Sequence, residues 1–288
     1  MVNEVNRGDV RDFLVSRRAR LGPADVGLPV TGRRRVPGLR REEVATLAGV
    51  STEWYTRLEK GHISDISADV LTAVARALRL DDEEREYLRE LARVAGPERA
   101  RSPRPAVALE PHVQWMLDAM TLAPAFVTNG RWDVLASNAL ARALYAPLLA
   151  SDVTREHVNV ARYHFLDPGA RDFFADWADA AAIVVALLRT EAGRHPYDRD
   201  LRDLVDELSA LSPDFRARWA AHDVRMYISG RKTFRHPTAG PIELFYSTVE
   251  LPTIAADGPL MTVYAAEPGS ESEDRLRLLT SGEFATPR

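Results

Sequence analysis

The sequence predicts an all-α domain of about five helices over residues 1–96 and an α+β domain over residues 111–288, joined by a linker at 97–110. Three observations predict this. The first hundred residues repeat apolar side chains at helical spacing between Gly- and Ser-marked breaks. The stretch "GPERARSPRPAVALEP" is rich in Pro and Arg and has no periodicity, as linkers do. Beyond it, alternating strand-like runs join the helical ones, the mark of an α+β unit. A chain of 288 residues is also longer than most single domains.

Taken in order, "DVRDFLVSRRARL" spaces Val10, Phe13, Leu14 and Leu21 for a helix, with Asp9 as its expected N-cap. "GPADVGLPVTGRRRVPG" is too broken by Gly and Pro to continue it. "LRREEVATLA" and "STEWYTRLEKG" are two short helices separated by Gly49 and Val50. "SADVLTAVARAL" follows with Ser67 as N-cap, and "DDEEREYLRELARVAG" opens on four acids that suit a helix N-terminus. In the second domain "HVQWMLDAMTLA" is an amphipathic helix, and "PAFVTNGRWDVLASN" a hairpin turning at Asn129-Gly130. "ARDFFADWADAAAIVVALLRTE" is expected as one long helix, followed by "DRDLRDLVDELSAL" and a shorter one opening at Ser212-Pro213. "RKTFRHPTAG", "PIELFYSTVEL" and "PLMTVYAAEP" are expected as three antiparallel strands, before a last helix at "ESEDRLRLL".

Composition narrows the function. An apolar share of 45% and a charged share of 28% are those of a globular chain. With no Cys there is neither a disulfide framework nor a Cys-ligated metal or redox site. No signal-like start and no apolar run of about 18 residues is present, so the expected location is the cytoplasm, without a membrane span. Residues 1–60 hold 12 Lys and Arg against 8 Asp and Glu, whereas residues 105–288 hold 18 against 25. A basic front on an acidic body points to a polyanion bound at one end. Only Lys60 and Lys232 are lysines, so arginine clusters here are weaker signals than elsewhere.

The segment "AGVSTEWYTRLEKG" carries the sharpest signal. Two short helices with Gly49 in the turn, the second starting at a hydroxyl, describe a helix-turn-helix. Val44, Ala45, Ala48, Val50, Tyr55 and Leu58 form the apolar seam between them. Ser51, Thr52, Glu53, Thr56, Arg57 and Lys60 are left outward, where a second helix of this kind meets the major groove of duplex DNA. Arg57 can donate to guanine there and Glu53 accept from cytosine. Arg40 and Arg41 at the head of the first helix, and Arg33, Arg34 and Arg35 in the preceding loop, are assigned to the same DNA. The plain alternative for such groups is a solvated charged face.

"LRREEVATLAGVSTEWYTRLEKG" closely resembles the XRE-type (λ-repressor-like) helix-turn-helix regulators. "GRWDVLASNALARALY", "NVARYHFLDPGARDFFADW", "LSPDFRARWAAHDV", "HPTAGPIELFYSTVELP" and "LMTVYAAEPGSESEDRLRLL" extend the resemblance to the subfamily with an MmyB-like ligand-binding domain, so that it covers about Arg11 to Leu279. It implies a bacterial transcription regulator whose second half is PAS-like and binds a small, largely apolar molecule, fatty acids having been suggested for relatives. As a two-fold symmetric homodimer it would read a near-palindromic operator with half-sites about 34 Å apart.

Against catalysis, the seven His show no paired spacing on a helix face, and no nucleophile elbow, phosphate loop or dinucleotide fingerprint occurs. No catalytic residue, metal or cofactor is therefore expected. Phe126, Trp132, Phe173, Trp177, Trp219, Phe234, Phe245 and Tyr264 serve either as core or as the walls of a ligand cavity. Asn138, Arg162 and His236, polar among apolar neighbours, either orient a ligand's head group or make structural hydrogen bonds. The rival to ligand sensing is an antitoxin-like DNA-binding and dimerising protein with a filled second core.

Overall fold

The structure is a computed structural model that describes residues 2–29, 38–64, 66–95, 109–154, 157–195, 198–221, 229–252 and 258–280. The chain divides into two compact units. One holds residues 1–104 with 189–202 and 219–225; the other holds 105–188, 203–218 and 226–288.

The first unit contains α1 (Val2–Arg20), α2 (Arg41–Ala48), α3 (Thr52–Glu59), α4 (Ala68–Ala77) and α5 (Asp82–Val94). The expected five helices are present, with one boundary moved. α1 begins at Val2, so Asp9 lies inside the helix and caps nothing. The other start signals act as their chemistry predicts. The Ser67 hydroxyl accepts from the Val70 N–H, and Asp81 and Glu84 cap α5 reciprocally. Val10, Phe13, Leu14, Leu39, Val44 and Leu91 bury completely in one core, which is what fixes the helices around the α2–α3 pair.

The second unit opens with α6 (Pro111–Ala119), β1 (Ala125–Thr128), β2 (Val134–Ser137), α7 (Ala139–Leu144), α8 (Ala146–Ala150), α9 (Val160–Leu166) and α10 (Ala170–Phe173). α11 (Trp177–Arg194), α12 (Arg199–Leu211) and α13 (Pro213–Ala220) precede β3 (Ser229–His236), β4 (Gly240–Glu250), β5 (Leu260–Ala265) and α14 (Glu271–Thr280). The strands form one antiparallel sheet in the order β2-β1-β5-β4-β3. The early hairpin and the late three-strand run therefore join through β1 and β5, a pairing no local pattern announces.

Alternation assigns the two faces. Ala125, Val127 and Met261 pack with Val113 and Leu117 of α6 on one face. Phe126, Tyr264, Tyr246, Leu244, Ile242 and Phe234 look the other way, into the core shared with α7 to α11 and α14. Phe245 lies on the α6 side of β4, where the strand's residues alternate to the exposed class, and is itself 43% exposed.

Two expected elements differ. The first hairpin does not turn tightly at Asn129-Gly130; its connection runs from Asn129 to Asp133, and Trp132 takes the left-handed φ of 67°. Asn129 holds that loop by accepting from the N–H groups of Arg131 and Asp133 at 2.9 and 3.0 Å. The long helix of "ARDFFADWADAAAIVVALLRTE" breaks at Phe174, which bridges to Phe234 of β3, while the Ala175 N–H donates to the Thr233 carbonyl. Edge pairing with β3 displaces the helical hydrogen bonds there.

Asn138 ties these layers together. It is 2% exposed and caps α7; its Oδ1 accepts from the N–H groups of Ala125 and Ala141, and its Nδ2 donates to the carbonyls of Met120 and Ala123. The Asn138→Ala variant should lose at least about 2 kcal/mol of stability, since it removes a cap and leaves buried backbone groups unsatisfied. Chemical denaturation checks this. Asn138→Asp should also destabilise, because it sets an oxygen against the two carbonyls; a midpoint equal to wild type for either variant would deny Asn138 this role.

Candidate nucleic-acid interface and ligand pocket

The helix pair is built from its turn outward. Gly49 ends α2 at a φ of 67°, a conformation that favours glycine, and its N–H returns to the Thr46 carbonyl. Ser51 then caps α3, its hydroxyl accepting from the Trp54 N–H at 3.1 Å. With Val44, Ala45, Ala48, Tyr55 and Leu58 buried, the opposite side of α3 faces solvent. Ser51, Thr52, Glu53, Arg57 and Lys60 are exposed and Thr56 is half-buried, as the helical phase of the seam requires. Arg40 is half-buried and pairs with Glu42 at 3.3 Å; Arg33, Arg34 and Arg35 lie outside the described residues.

Beneath this surface is an ionic cluster the sequence reading did not single out. Glu59, the last residue of α3, is 1% exposed. It receives two hydrogen bonds from Arg18 of α1, at 2.7 and 3.0 Å, and one from Arg41 of α2 at 2.7 Å. Arg18 also donates to the Leu39 carbonyl at 2.7 Å, fastening the chain that leads into α2. Burial alone would raise the Glu59 pKa, but the bonds from Arg18 and Arg41 outweigh it and hold the carboxyl below its usual value. Burial likewise opposes the charge on Arg18, and Glu59 more than restores it. Arg41 is thereby fixed with 46% of its side chain exposed. The available signal was weak: a Glu on the buried side of an amphipathic helix, which needs a partner from another element.

In the second unit, four of the expected ligand residues come together. Phe126, Phe173, Phe234 and Tyr264 surround Tyr145, their ring centroids 5.3 to 6.2 Å from it or from one another. At the centre the hydroxyls of Tyr145 and Tyr264 meet at 2.6 Å, one donating to the other, and burial raises the pKa of both. Trp132 is half-buried and donates to the Val184 carbonyl at 3.3 Å. Trp177 stacks on His164 at 5.0 Å and donates to its carbonyl. Phe245 departs from the expectation, because β4 alternation turns it to the outer face, where Arg231 covers its ring at 4.9 Å.

The three polar residues bind the protein itself. Asn138 has its four hydrogen bonds within the fold. Arg162 forks onto Glu207 at 2.8 and 3.0 Å. His236 meets the Ala143 carbonyl through Nε2 and accepts from the Thr238 and Ala239 N–H groups through Nδ1. Desolvation keeps its pKa below the usual histidine value.

An apolar cleft lined by Phe126, Val134, Ala141, Tyr145, Leu148 and Val160 leaves about 20 Å³, enough for a water-sized group. A second, against α14 and lined by Leu140, Ala265, Leu276 and Arg277, leaves about 90 Å³. Among the described residues no group of three or more His, Asp or Glu could hold a metal ion, and no helix is long and apolar enough to cross a membrane.

Residues 13–88 match the model of a helix-turn-helix domain, and residues 109–279 match that of the MmyB-like transcription regulator ligand binding domain. No curated protein matches the chain.

Breaking the buried cluster should cost more than a surface ion pair. Glu59→Ala is expected to destabilise the head by about 3–5 kcal/mol, since two guanidinium groups lose their buried partner. Because the folded carboxyl has the lower pKa, its contribution is present above about pH 4.5 and is lost as pH falls through the folded value. Urea melts at pH 7 and pH 3 should show the wild-type advantage over Glu59→Ala shrinking at the lower pH; an equal gap at both would refute the charged role.

Proposed function

Because the chain belongs to the regulators with an MmyB-like ligand-binding domain, a family of DNA-binding transcription regulators, we propose that it reads a near-palindromic operator as a homodimer and senses a small apolar ligand. One observation supports the DNA half above the rest: α3 offers Thr52, Glu53, Arg57 and Lys60 together on its solvent side, with Arg41 fixed beside its end by Glu59. Arg57 and Glu53 take base edges in this reading, and Arg40, Arg41 and the Arg33–Arg35 run take phosphates. A helix of 8 residues is about 12 Å long and covers only a few base pairs, which is the physical case for two copies on one site. The protein acts in the bacterial cytoplasm, with residues 97–110 joining reader to sensor.

The ligand half draws on the ring cluster around Tyr145, which is aromatic and closed around a single hydroxyl pair. A fatty-acid-like ligand that enters the cleft beside Tyr145 has to move those rings, since that cleft leaves about 20 Å³. Ligand and DNA affinity are then coupled through the arrangement the ligand prefers, typically by about 1–3 kcal/mol. The same closed cluster favours the second reading, a ligand-independent DNA-binding and dimerising protein with a filled core.

Arg57→Ala should cost about 1–3 kcal/mol of operator binding and relax preference at one base pair. Binding-site selection on randomised duplexes measures this; equal weakening on every sequence would make Arg57 a phosphate contact. Native mass spectrometry is expected to show a dimer carrying extra mass that disappears on denaturation. A dimer of exact chain mass that also ignores fatty acids would favour the filled core.

A further inference from the structure

Lys232, one of only two lysines in the chain, stands on the core-facing side of β3. It lies opposite Leu244 in the β3–β4 register, and its face-mates Phe234, Leu244 and Ile242 are fully buried. The side chain is half-buried, with Nζ 5.6 Å from the ring centres of both Phe174 and Tyr246. Among the described residues it has no carboxylate partner. Desolvation lowers its pKa to about 8.

The surroundings carry further positive charge. Arg171 of α10 lies 3.8 Å over the Trp177 ring, and Arg218 of α13 lies 5.6 Å from the same ring. Trp177 in turn stacks on His164 of α9. Burial, then Lys232, Arg218 and Arg171, push the His164 pKa down to about 3, so its ring is neutral and adds no charge. Of the acids on these elements, Asp214 holds Arg171 at 2.6 Å, and Asp167 accepts from the Ser151 hydroxyl and the Gly169 N–H. Lys232 thus stands beside Phe174, whose ring packs 4.9 Å from His164, and Arg171 and Arg218 lie on the far side over Trp177, in a chain half that holds 18 basic against 25 acidic residues. A half-buried ammonium without a counter-ion is unfavourable in the empty protein, and an incoming anion removes that cost.

We propose that Lys232 seats the carboxylate of a small, ring-bearing organic acid, whose planar body stacks at the Arg171–Trp177 edge. This rests on the reading of the second unit as ligand-binding, and adds that the ligand is anionic and aromatic. The ring faces of Phe174 and Tyr246 lie beside the ammonium, and the Arg171–Trp177 stack adds a further planar surface for an aromatic body. The Arg171 guanidinium, 56% exposed, already offers a flat surface to stack on.

Calorimetric titration of the full-length protein with naphthalene-2-carboxylate, naphthalene-2-carboxamide and decanoate tests this. The naphthoate should bind, with the neutral amide at least about tenfold weaker. Lys232→Met should weaken the naphthoate about tenfold, leave the amide unchanged, and keep or raise the thermal midpoint, because a half-buried charge is gone. Bound anion favours the ammonium, so wild-type affinity should be constant below about pH 8 and fall above it, a fall that Lys232→Met abolishes. Equal binding of acid and amide, or unchanged naphthoate binding by Lys232→Met, overturns the seat. Tight decanoate binding that ignores Lys232→Met overturns it too but leaves ligand sensing standing. If none of the three binds at millimolar concentration, the seat falls, while ligand sensing stands or falls on the native mass of the purified protein.

Discussion

The head depends on a buried carboxylate that must be paired. Glu59 ends α3 inside the protein, and a charge there is tolerable only with hydrogen-bonding partners in place. Arg18 and Arg41 supply them from α1 and α2, so the two helices of the DNA-reading pair are held in register by the group that neutralises the charge. The exposed face of α3 is therefore positioned from below, and its stiffness comes from electrostatics as well as from the apolar seam.

The second unit uses polar residues differently. Asn138 spends its hydrogen bonds on backbone and His236 most of its own, joining the end of α6, α7 and the sheet where no ladder can reach. What remains for recognition is aromatic surface and charge. The rings around Tyr145 close upon themselves, while Lys232 brings an ammonium to the sheet's inner face without a counter-ion among the described residues. Stability claims the first group and leaves the second available, which is why the polar residues that stand out in the sequence differ from those with capacity to spare.

Much of the fold was legible. Helical spacing, the Gly49 turn and the Ser51 and Ser67 caps are local signals, and each acts within a few residues of itself. The outward set on α3 follows from the same periodicity, since burying Tyr55 and Leu58 leaves Thr52, Glu53 and Arg57 outside. Other features answer to partners distant in the chain. Phe174 leaves the helix because β3 pairs with it, and Trp132 takes a left-handed φ because Asn129 shapes the loop around it. The head-group roles considered for Asn138, Arg162 and His236 rested on polar residues among apolar ones, a pattern that structural hydrogen bonds produce equally well.

The sequence by itself determined the all-α and α+β character of its two regions, the helix-turn-helix, the strands and the face that α3 presents, because periodicity, capping and turn chemistry are written within one element. Only the tertiary structure decided that β1 joins β5, that Glu59 binds Arg18 across 41 residues, and that Lys232 shares a buried face with Phe234 and Leu244. Those outcomes depend on which charges and surfaces meet after the chain has folded back, and a residue's desolvation and partners come from elements that lie far from it in sequence.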